Sequence, residues 1–462
     1  MSEFVAGRVP ERMGFGQSLI FAIAGVPLTA VDVALLIYLP PHLSGRLGVP
    51  LAVVGLCWAI VRLLDIVVDP VLGVMMDATR SRFGRYRLWM VLGAPILMAA
   101  TWMLFFAKPG IGAVYLVGWL LALYLGRSIL HVAHPAWAAT LARTYNDRAR
   151  LFGVLAAVSV AATLLVLLLP VANSAMGGGE GRNIELMGWF VILAAAPTIG
   201  LAVWRTGERL SPATQTGRAA MKDYLELLTK PDLVRLYLAS TALTLGPGWM
   251  SSLYLFFQAS YNGLAAAQAS ILLVVYTLAG LAGAPAVAHL ATRIGKSRTL
   301  ILATVGYSLG LCTVLFTPKG SLLGAMPTML WCGAMGVGFE LMVRAMLADV
   351  ADEVRLEQGR ERLSLIFSLN TLTTKIATAA AVAITFPLLQ AIGYSPKPGA
   401  YNTPEAIWGL GLTFAIGPVV FVLLGGASVL GWKLTAERHA SIRAELDLRD
   451  AELAGTIALG DA

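Results

Sequence analysis

Charge is what this sequence most lacks. Asp, Glu, Lys and Arg supply 13% of its 462 residues and hydrophobic residues 58%, whereas a soluble domain carries about 25% charged residues. The deficit runs the whole length and leaves no stretch for a sizeable water-soluble domain. Cysteine is nearly absent too. Cys57, Cys312 and Cys332 lie inside apolar runs and are odd in number, which argues against a disulfide framework. There is no G-x-x-x-x-G-K-[ST] phosphate loop, so nothing supports an ATP-driven pump. No third Cys, His or carboxylate stands at ligand spacing beside His131 and His134. Neither a resident metal nor a cofactor is therefore expected, beyond a transported ion. The opening M-S-E-F-V-A-G-R-V-P-E-R has no small-residue cleavage site before a short apolar core, so no removable signal peptide is expected.

What is present is a succession of apolar runs, each near the roughly 20 residues a helix needs to cross a bilayer. Reading windows of about 19 residues gives twelve spans, roughly 15–40, 49–78, 88–107, 111–141, 150–171, 186–206, 233–260, 267–291, 298–317, 321–347, 364–392 and 406–433. The fold class that follows is an all-α integral membrane protein with twelve transmembrane helices. Its longest polar connection separates an N-terminal six-helix half, 1–206, from a C-terminal half, 233–433, with a cytoplasmic linker at 207–232 and a cytoplasmic tail at 434–462. The tail alternates charge with Ala and Leu at helical spacing and is expected to be a solvated or surface-lying helix without chemistry.

The formal charge of +8 does not mark a nucleic-acid binder, because the basic residues punctuate the gaps between spans instead of forming one face. With the N-terminus inside, 24 of the 34 Lys and Arg residues fall on the inner side and five on the outer: Arg46, Lys108, Arg182, Lys319 and Lys397. The positive-inside rule then places both termini in the cytoplasm of a plasma (inner) membrane protein. The expected partners are the lipid bilayer and a small-molecule substrate, with the chain a monomer. Arg62, Arg127, Arg235, Arg344 and Lys375 lie within or at the edge of spans, which makes them candidates for function.

The densest chemistry lies between Arg62 and Arg87. Trp58, Arg62, Asp65 and Asp69 are spaced by four, three and four residues, hence along one helical stripe. A carboxylate in hydrocarbon costs about 2.5–3.5 kcal/mol on insertion scales, so such residues mark function by default. Two readings of the stripe stand: a seat for a proton or Na+, or an ion-pair stitch to other helices. In the fourth span His131 and His134 share a face with Trp137 nearby, and histidine is the side chain that ordinarily changes charge near neutral pH. Asp32 is a lone acid in the first span, readable as a cavity residue or as a partner of Arg127 or Lys375. Glu340 and Arg344 are one turn apart and read as an intrahelical pair on an inner face. Asp349, Asp352 and Glu353 are expected to meet arginines of the loop after the fourth span and so to close a gate.

Two motifs carry a resemblance. D-x-x-x-D-P followed by G-x-x-x-D-x-T-R-S-R-x-G-R-x-R-x-W, and A-D-V-A-D-E-V (348–354) followed by R-E-R-L-S-L-I-F-S-L-N-T-L-T-T-K (360–375), resemble the glycoside-pentoside-hexuronide:cation symporter family. That family belongs to the major facilitator superfamily. The resemblance implies the major facilitator fold, with two six-helix halves around a central site, and transport without enzymatic activity. It also implies Asp65 and Asp69 as the cation site, Arg62 and Lys375 as its charge balance, and Lys375 as a neighbour of the substrate. Gly73, Asp77, Arg80, Gly84 and Arg85 match the loop that latches the cytoplasmic side in the outward-facing state. Trp137 of H-P-A-W matches a tryptophan that stacks on sugar.

The chain also departs from the family. Ala133 stands where family sugar carriers place an aspartate, and the arginine expected early in the fifth helix has no counterpart. Val68 replaces an asparagine linked to cation selectivity; it offers a hard cation no side-chain oxygen and favours H+ over Na+. The expected function is cation-coupled uptake of a sugar, glycoside or related solute by alternating access, with substrate bound by Trp137, Asp32, His131, His134 and Lys375. A lysophospholipid or other amphipathic solute is the alternative, and a non-transporting sensor a remote one.

Overall fold

The computed structural model describes residues 14–79, 81, 83–141, 145–208, 226–359, 362–397 and 400–460. Most of the linker expected at 207–232 lies outside these residues, as do Arg80 and the side chain of Asp77. The chain is a bundle of long helices: α1 (Phe15–Arg46), α2 (Leu51–Ala78), α3 (Tyr86–Phe105), α4 (Ala113–Leu141), α5 (Tyr145–Ala175), α6 (Arg182–Arg205), α7 (Pro231–Phe256), α8 (Ala266–Ile294), α9 (Lys296–Cys312), α10 (Leu322–Gln358), α11 (Leu363–Ala391), α12 (Pro404–Ala427) and the tail helix α13 (Ala436–Gly460).

Among the described residues, eleven helices are both long enough and apolar enough to cross a membrane. The exception among the twelve expected spans is α7. It has the length, 26 residues, and is continued by a π-helical turn, Phe257–Tyr261. Its sequence is diluted by Asp232, Arg235 and a run of Ser, Thr, Gly and Pro, because so much of it faces protein: Leu236, Ser240, Leu243, Gly248, Ser252 and Tyr254 are all buried. A hydropathy window measures apolarity, which a helix buried among protein neighbours does not need throughout.

The packing repeats with a period of six helices. In the first half α3 packs on α4 and α6, α2 on α4, and α1 on α5 and α6; in the second α9 packs on α10 and α12, α8 on α10, and α7 on α11 and α12. The two largest contacts between the halves, α2 with α11 and α5 with α8, exchange into one another under the same shift. The repeat is thus visible in packing where residue identity barely shows it.

Two devices set the helix geometry. Small residues allow close approach, as lipid-embedded helices need in the absence of a hydrophobic drive between them. A Cβ on Gly126 of α4 would stand 2.6 Å from the Leu97 backbone nitrogen of α3, and one on Gly55 of α2 would stand 3.2 Å from the Val382 carbonyl of α11. Proline interrupts α1: Pro27 follows a 3₁₀ turn, Ile23–Gly25, and Pro40 and Pro41 lie between π turns at Ala34–Tyr38 and His42–Arg46. Proline withholds one backbone hydrogen bond, and these local adjustments absorb the loss. The first π turn turns Leu35 and Leu36 toward the centre of the bundle.

The halves are bonded at the end away from the termini. Tyr38 and Ser270 hydroxyls are 2.8 Å apart, the Ala52 N–H donates to Gln390 Oε1 at 3.1 Å, and the Ala266 N–H donates to Glu180 Oε1 at 3.0 Å. Among the described residues the remaining inter-half hydrogen bonds lie at mid-depth, where Lys375 meets α2. Among the described residues no hydrogen bond joins the halves at the end that carries the termini.

The tail is not an idle surface helix. Ile442 and Leu446 are buried, and α13 lies against the end of α10. His439 is 3.0 Å from Asp352 and 3.5 Å from Asp349, Arg443 is 3.3 Å from Asp352, and Arg438 is 3.7 Å from Glu353. Asp349 also receives Lys296 at 2.6 Å. Among the described residues Asp349, Asp352 and Glu353 thus pair with α13 and with the start of α9; Arg143 and the side chain of Arg148, in the loop after the fourth span, lie outside the described residues.

Replacing Gly126 by valine should force α3 and α4 apart and cost about 1–3 kcal/mol, as overpacking does. The check is a lowered unfolding midpoint in detergent, with Gly112→Ala, a loop change in open space, showing whether any glycine replacement has the same effect.

Candidate functional site

The cavity has two chambers that share a wall of Leu36, Thr371, Thr374 and Thr378. The first, about 540 Å³, lies against α1, α2, α4 and α11; the second, about 510 Å³, lies against α7, α8, α10 and α11. Their placement follows from helical spacing: Tyr124, Arg127, Ser128 and His131 recur at three- and four-residue steps on α4, and Thr371, Thr374, Lys375 and Thr378 do so on α11.

The first chamber is built on ion pairs. Asp65 is fully inside: its Oδ1 accepts from the Ser128 hydroxyl at 2.7 Å and its Oδ2 from Lys375 Nζ at 3.1 Å. Lys375 also binds Asp69 Oδ2, so one ammonium from α11 lies between two carboxylates of α2. Asp69 Oδ1 is buried without a hydrogen-bond partner. Arg62 approaches Asp65 at 4.0 Å and lies 4.7 Å over the Tyr124 ring. Across the chamber Arg127 binds Asp32, and His131 Nε2 is 3.0 Å from the other oxygen of Asp32. Three carboxylates thus face three permanent cations. The stripe Arg62, Asp65 and Asp69 carries a net charge of −1 on its own, and Lys375 cancels it.

Not every expected site residue reaches this chamber. His134 is buried against Phe21, with ring centroids 4.6 Å apart, and its Nε2 is 3.0 Å from the Phe21 carbonyl. Trp137 is fully buried, edge-on to Phe21, and donates its indole N–H to the Gly207 carbonyl at 3.3 Å. Both lie on the extension of the α4 stripe, but there α1 covers them, so the structure shows no indole face open to solute.

At the loop, Gly84 takes φ +100, a left-handed value that favours glycine, and the Glu208 carboxylate packs against it. Glu208 receives the backbone N–H groups of Tyr86 at 3.0 Å and Arg87 at 3.2 Å. A carboxylate from the end of α6 thus caps the start of α3, where the helix dipole favours negative charge. Arg85 lies beside Tyr86, and Gly73 sits on α2 in open space. The sequence reading missed Glu208, Ser128 and the threonines of α11. The last were signalled by T-L-T-T-K-I-A-T, a polar stripe in phase with Lys375.

Lys375→Met should strand two carboxylates and cost about 3–5 kcal/mol, the usual penalty for breaking a buried pair. Adding Asp69→Asn should recover part of that loss, a coupling visible in unfolding midpoints of the two single variants and the double. Trp137→Ala should act on stability by a similar amount, as large core truncations do, while leaving the dissociation constant of a bound solute nearly unchanged.

Comparison with known proteins agrees with this architecture. A family model described as MFS/sugar transport protein matches residues 20–436. A glucuronide carrier protein homolog of Escherichia coli (strain K12) is 23% identical over 89% of this chain and 91% of that one. The isoprimeverose transporter of Lactiplantibacillus pentosus is 24% identical over 84% of this chain and 82% of that one. The crystal structure of the nucleoside transporter NupG shares the fold with a TM-score of 0.66 at 11% identity, covering 91% of this chain and 100% of that one. A match spanning both halves and both motif regions bears out the resemblance read from the sequence: this chain belongs to the MFS/sugar transport protein family, integral membrane carriers and not enzymes.

Proposed function

We propose that the chain is a cation-coupled symporter of a sugar, glycoside or related polyhydroxylated solute, working by alternating access. The observation that carries this reading is the Lys375 ammonium held between Asp65 and Asp69 beside the unpartnered Asp69 Oδ1. The ammonium stands where a coupling cation has its charge, and Asp69 keeps a free lone pair turned into a protein interior. A cation arriving at Asp69 releases Lys375, and with it a tie between α2 and α11. That is a physical link between ion binding and the relation of the two halves.

The coupling ion in this reading is H+. Val68 brings no oxygen to the site, and a proton needs only the free Asp69 oxygen, whereas Na+ needs several oxygen ligands in place of water. The solute binds in the two-chambered cavity, against Asp32, His131, Ser128 and the α11 threonines. Helix α7 contributes Ser240, Thr244 and Ser251 along with Leu243 and Pro247. Such a lining suits a polar solute more than an acyl chain, which sets the lysophospholipid reading second. With both termini cytoplasmic, as the distribution of basic residues argues, the cavity faces the cytoplasm of the cell and the bonded end faces out. The protein acts as a monomer in the plasma (inner) membrane.

In proteoliposomes, Asp65→Asn and Asp69→Asn should each abolish gradient-driven accumulation of the solute; full accumulation by both would remove the coupling site from Asp65 and Asp69. Uptake by the unaltered protein should follow an imposed pH gradient in Na+-free buffer, and strict dependence on Na+ would reverse the choice of ion.

A further inference from the structure

We propose that the second chamber is a recognition site for an acidic, aromatic substituent carried by the sugar, with Arg344 as the residue that binds its carboxylate. The inference rests on the symport reading above and narrows the cargo to a glycoside whose aglycone is an aryl acid.

The two chambers differ in chemistry. The first is lined by committed ion pairs, and its aromatic ring, Tyr124, is covered by the guanidinium groups of Arg62 and Arg127. The second offers Phe339, Tyr276, Leu243 and Pro247 beside the pair Arg344–Glu340, on a volume of about 510 Å³. A flat ring with a charged end matches that combination of apolar wall and guanidinium. Because the threonine wall of α11 is common to both chambers, one solute reaches from one to the other.

Arg344 is the basic group of the cavity most easily recruited. Lys375 is shared by two aspartates, Arg127 is bound to Asp32, and Arg62 is buried beside Asp65; their side chains are 14%, 17% and 11% exposed. The Arg344–Glu340 pair, 2.5 Å apart and one turn along α10, is 65% and 72% exposed. An exposed pair of this kind contributes little to stability, so an incoming carboxylate exchanges for Glu340 cheaply and gains a bidentate contact with the guanidinium. Nearby, Asn370 Oδ1 is buried and without a hydrogen-bond partner, an acceptor for a solute hydroxyl.

Charge balance points the same way. Asp32, Asp65, Asp69 and Glu340 face Arg62, Arg127, Lys375 and Arg344, so the cavity is neutral when His131 is neutral. Loading one cation leaves it positive in a low-dielectric surrounding, where charge interacts strongly. A monoanionic solute restores neutrality and a neutral sugar does not.

The test is binding of phenyl and para-carboxyphenyl β-glycosides of glucose, galactose and xylose to the full chain in lipid nanodiscs, with and without acidification or Na+. For the ring sugar that binds, the carboxylated glycoside should bind about tenfold or more tightly than the phenyl glycoside, a factor well resolved by titration. Cation loading should widen the gap. Arg344→Gln should erase it by weakening only the acid, and Glu340→Gln should widen it by removing the internal competitor. Equal affinity in the unaltered protein, or a gap that survives in Arg344→Gln, overturns the site. A cation-enhanced phenyl glycoside without acid preference overturns this inference alone and leaves symport standing. Failure of every glycoside to bind, with and without cation, overturns both.

Discussion

One ammonium group holds the middle of this protein together. Lys375 reaches from α11 to two carboxylates of α2, and α2–α11 is the largest of the contacts between the halves among the described residues. Two carboxylates four residues apart at mid-depth in a membrane protein repel, and a positive charge or a proton must offset them at every stage. In the state described here that charge belongs to the protein. Any cation that takes its place changes the strength of a seam, so ion occupancy and the arrangement of the halves are linked by electrostatics alone.

The rest of the bundle makes this link effective. A close glycine contact such as Gly126 against Leu97 makes a helix pair within one half stiff, so a change at a seam moves packed units. The end away from the termini is bonded by Tyr38–Ser270, Ala52–Gln390 and Ala266–Glu180, three contacts that a closing of the opposite end has to break. None is a buried ion pair, and a typical hydrogen bond contributes about 0.5–1.5 kcal/mol net, a sum of the size that one cation and one solute supply on binding. The tail helix adds a fixed partner for Asp349 and Asp352 on the C-terminal half.

Much of this was legible in the sequence because membrane insertion penalises charge. Asp65, Asp69, Arg62 and Lys375 stand out against hydrocarbon, and the structure brings the four together. The pairing of Asp32 with Arg127 was one of two partners open to it, and geometry chose between them. What failed did so for tertiary reasons. Trp137 and His134 carry the correct motif, yet Phe21 of α1 covers their turn of α4. The α7 span, read from the sequence at 233–260, is present as Pro231–Phe256, its apolarity diluted by polar residues buried against protein. Asp349 and Asp352 pair with α13 and Lys296, partners that no local pattern records.

The central claim is that Lys375 and a coupling cation compete for Asp69. Infrared difference spectra of the purified protein in lipid, taken before and after cation addition, read it most directly through the carboxylate stretch that vanishes in Asp69→Asn. The account predicts that acidification perturbs this band in the unaltered protein and that Lys375→Met alters both the band and its response. A carboxylate band indifferent to acid and to Na+, or one that responds identically with and without Lys375, would contradict it.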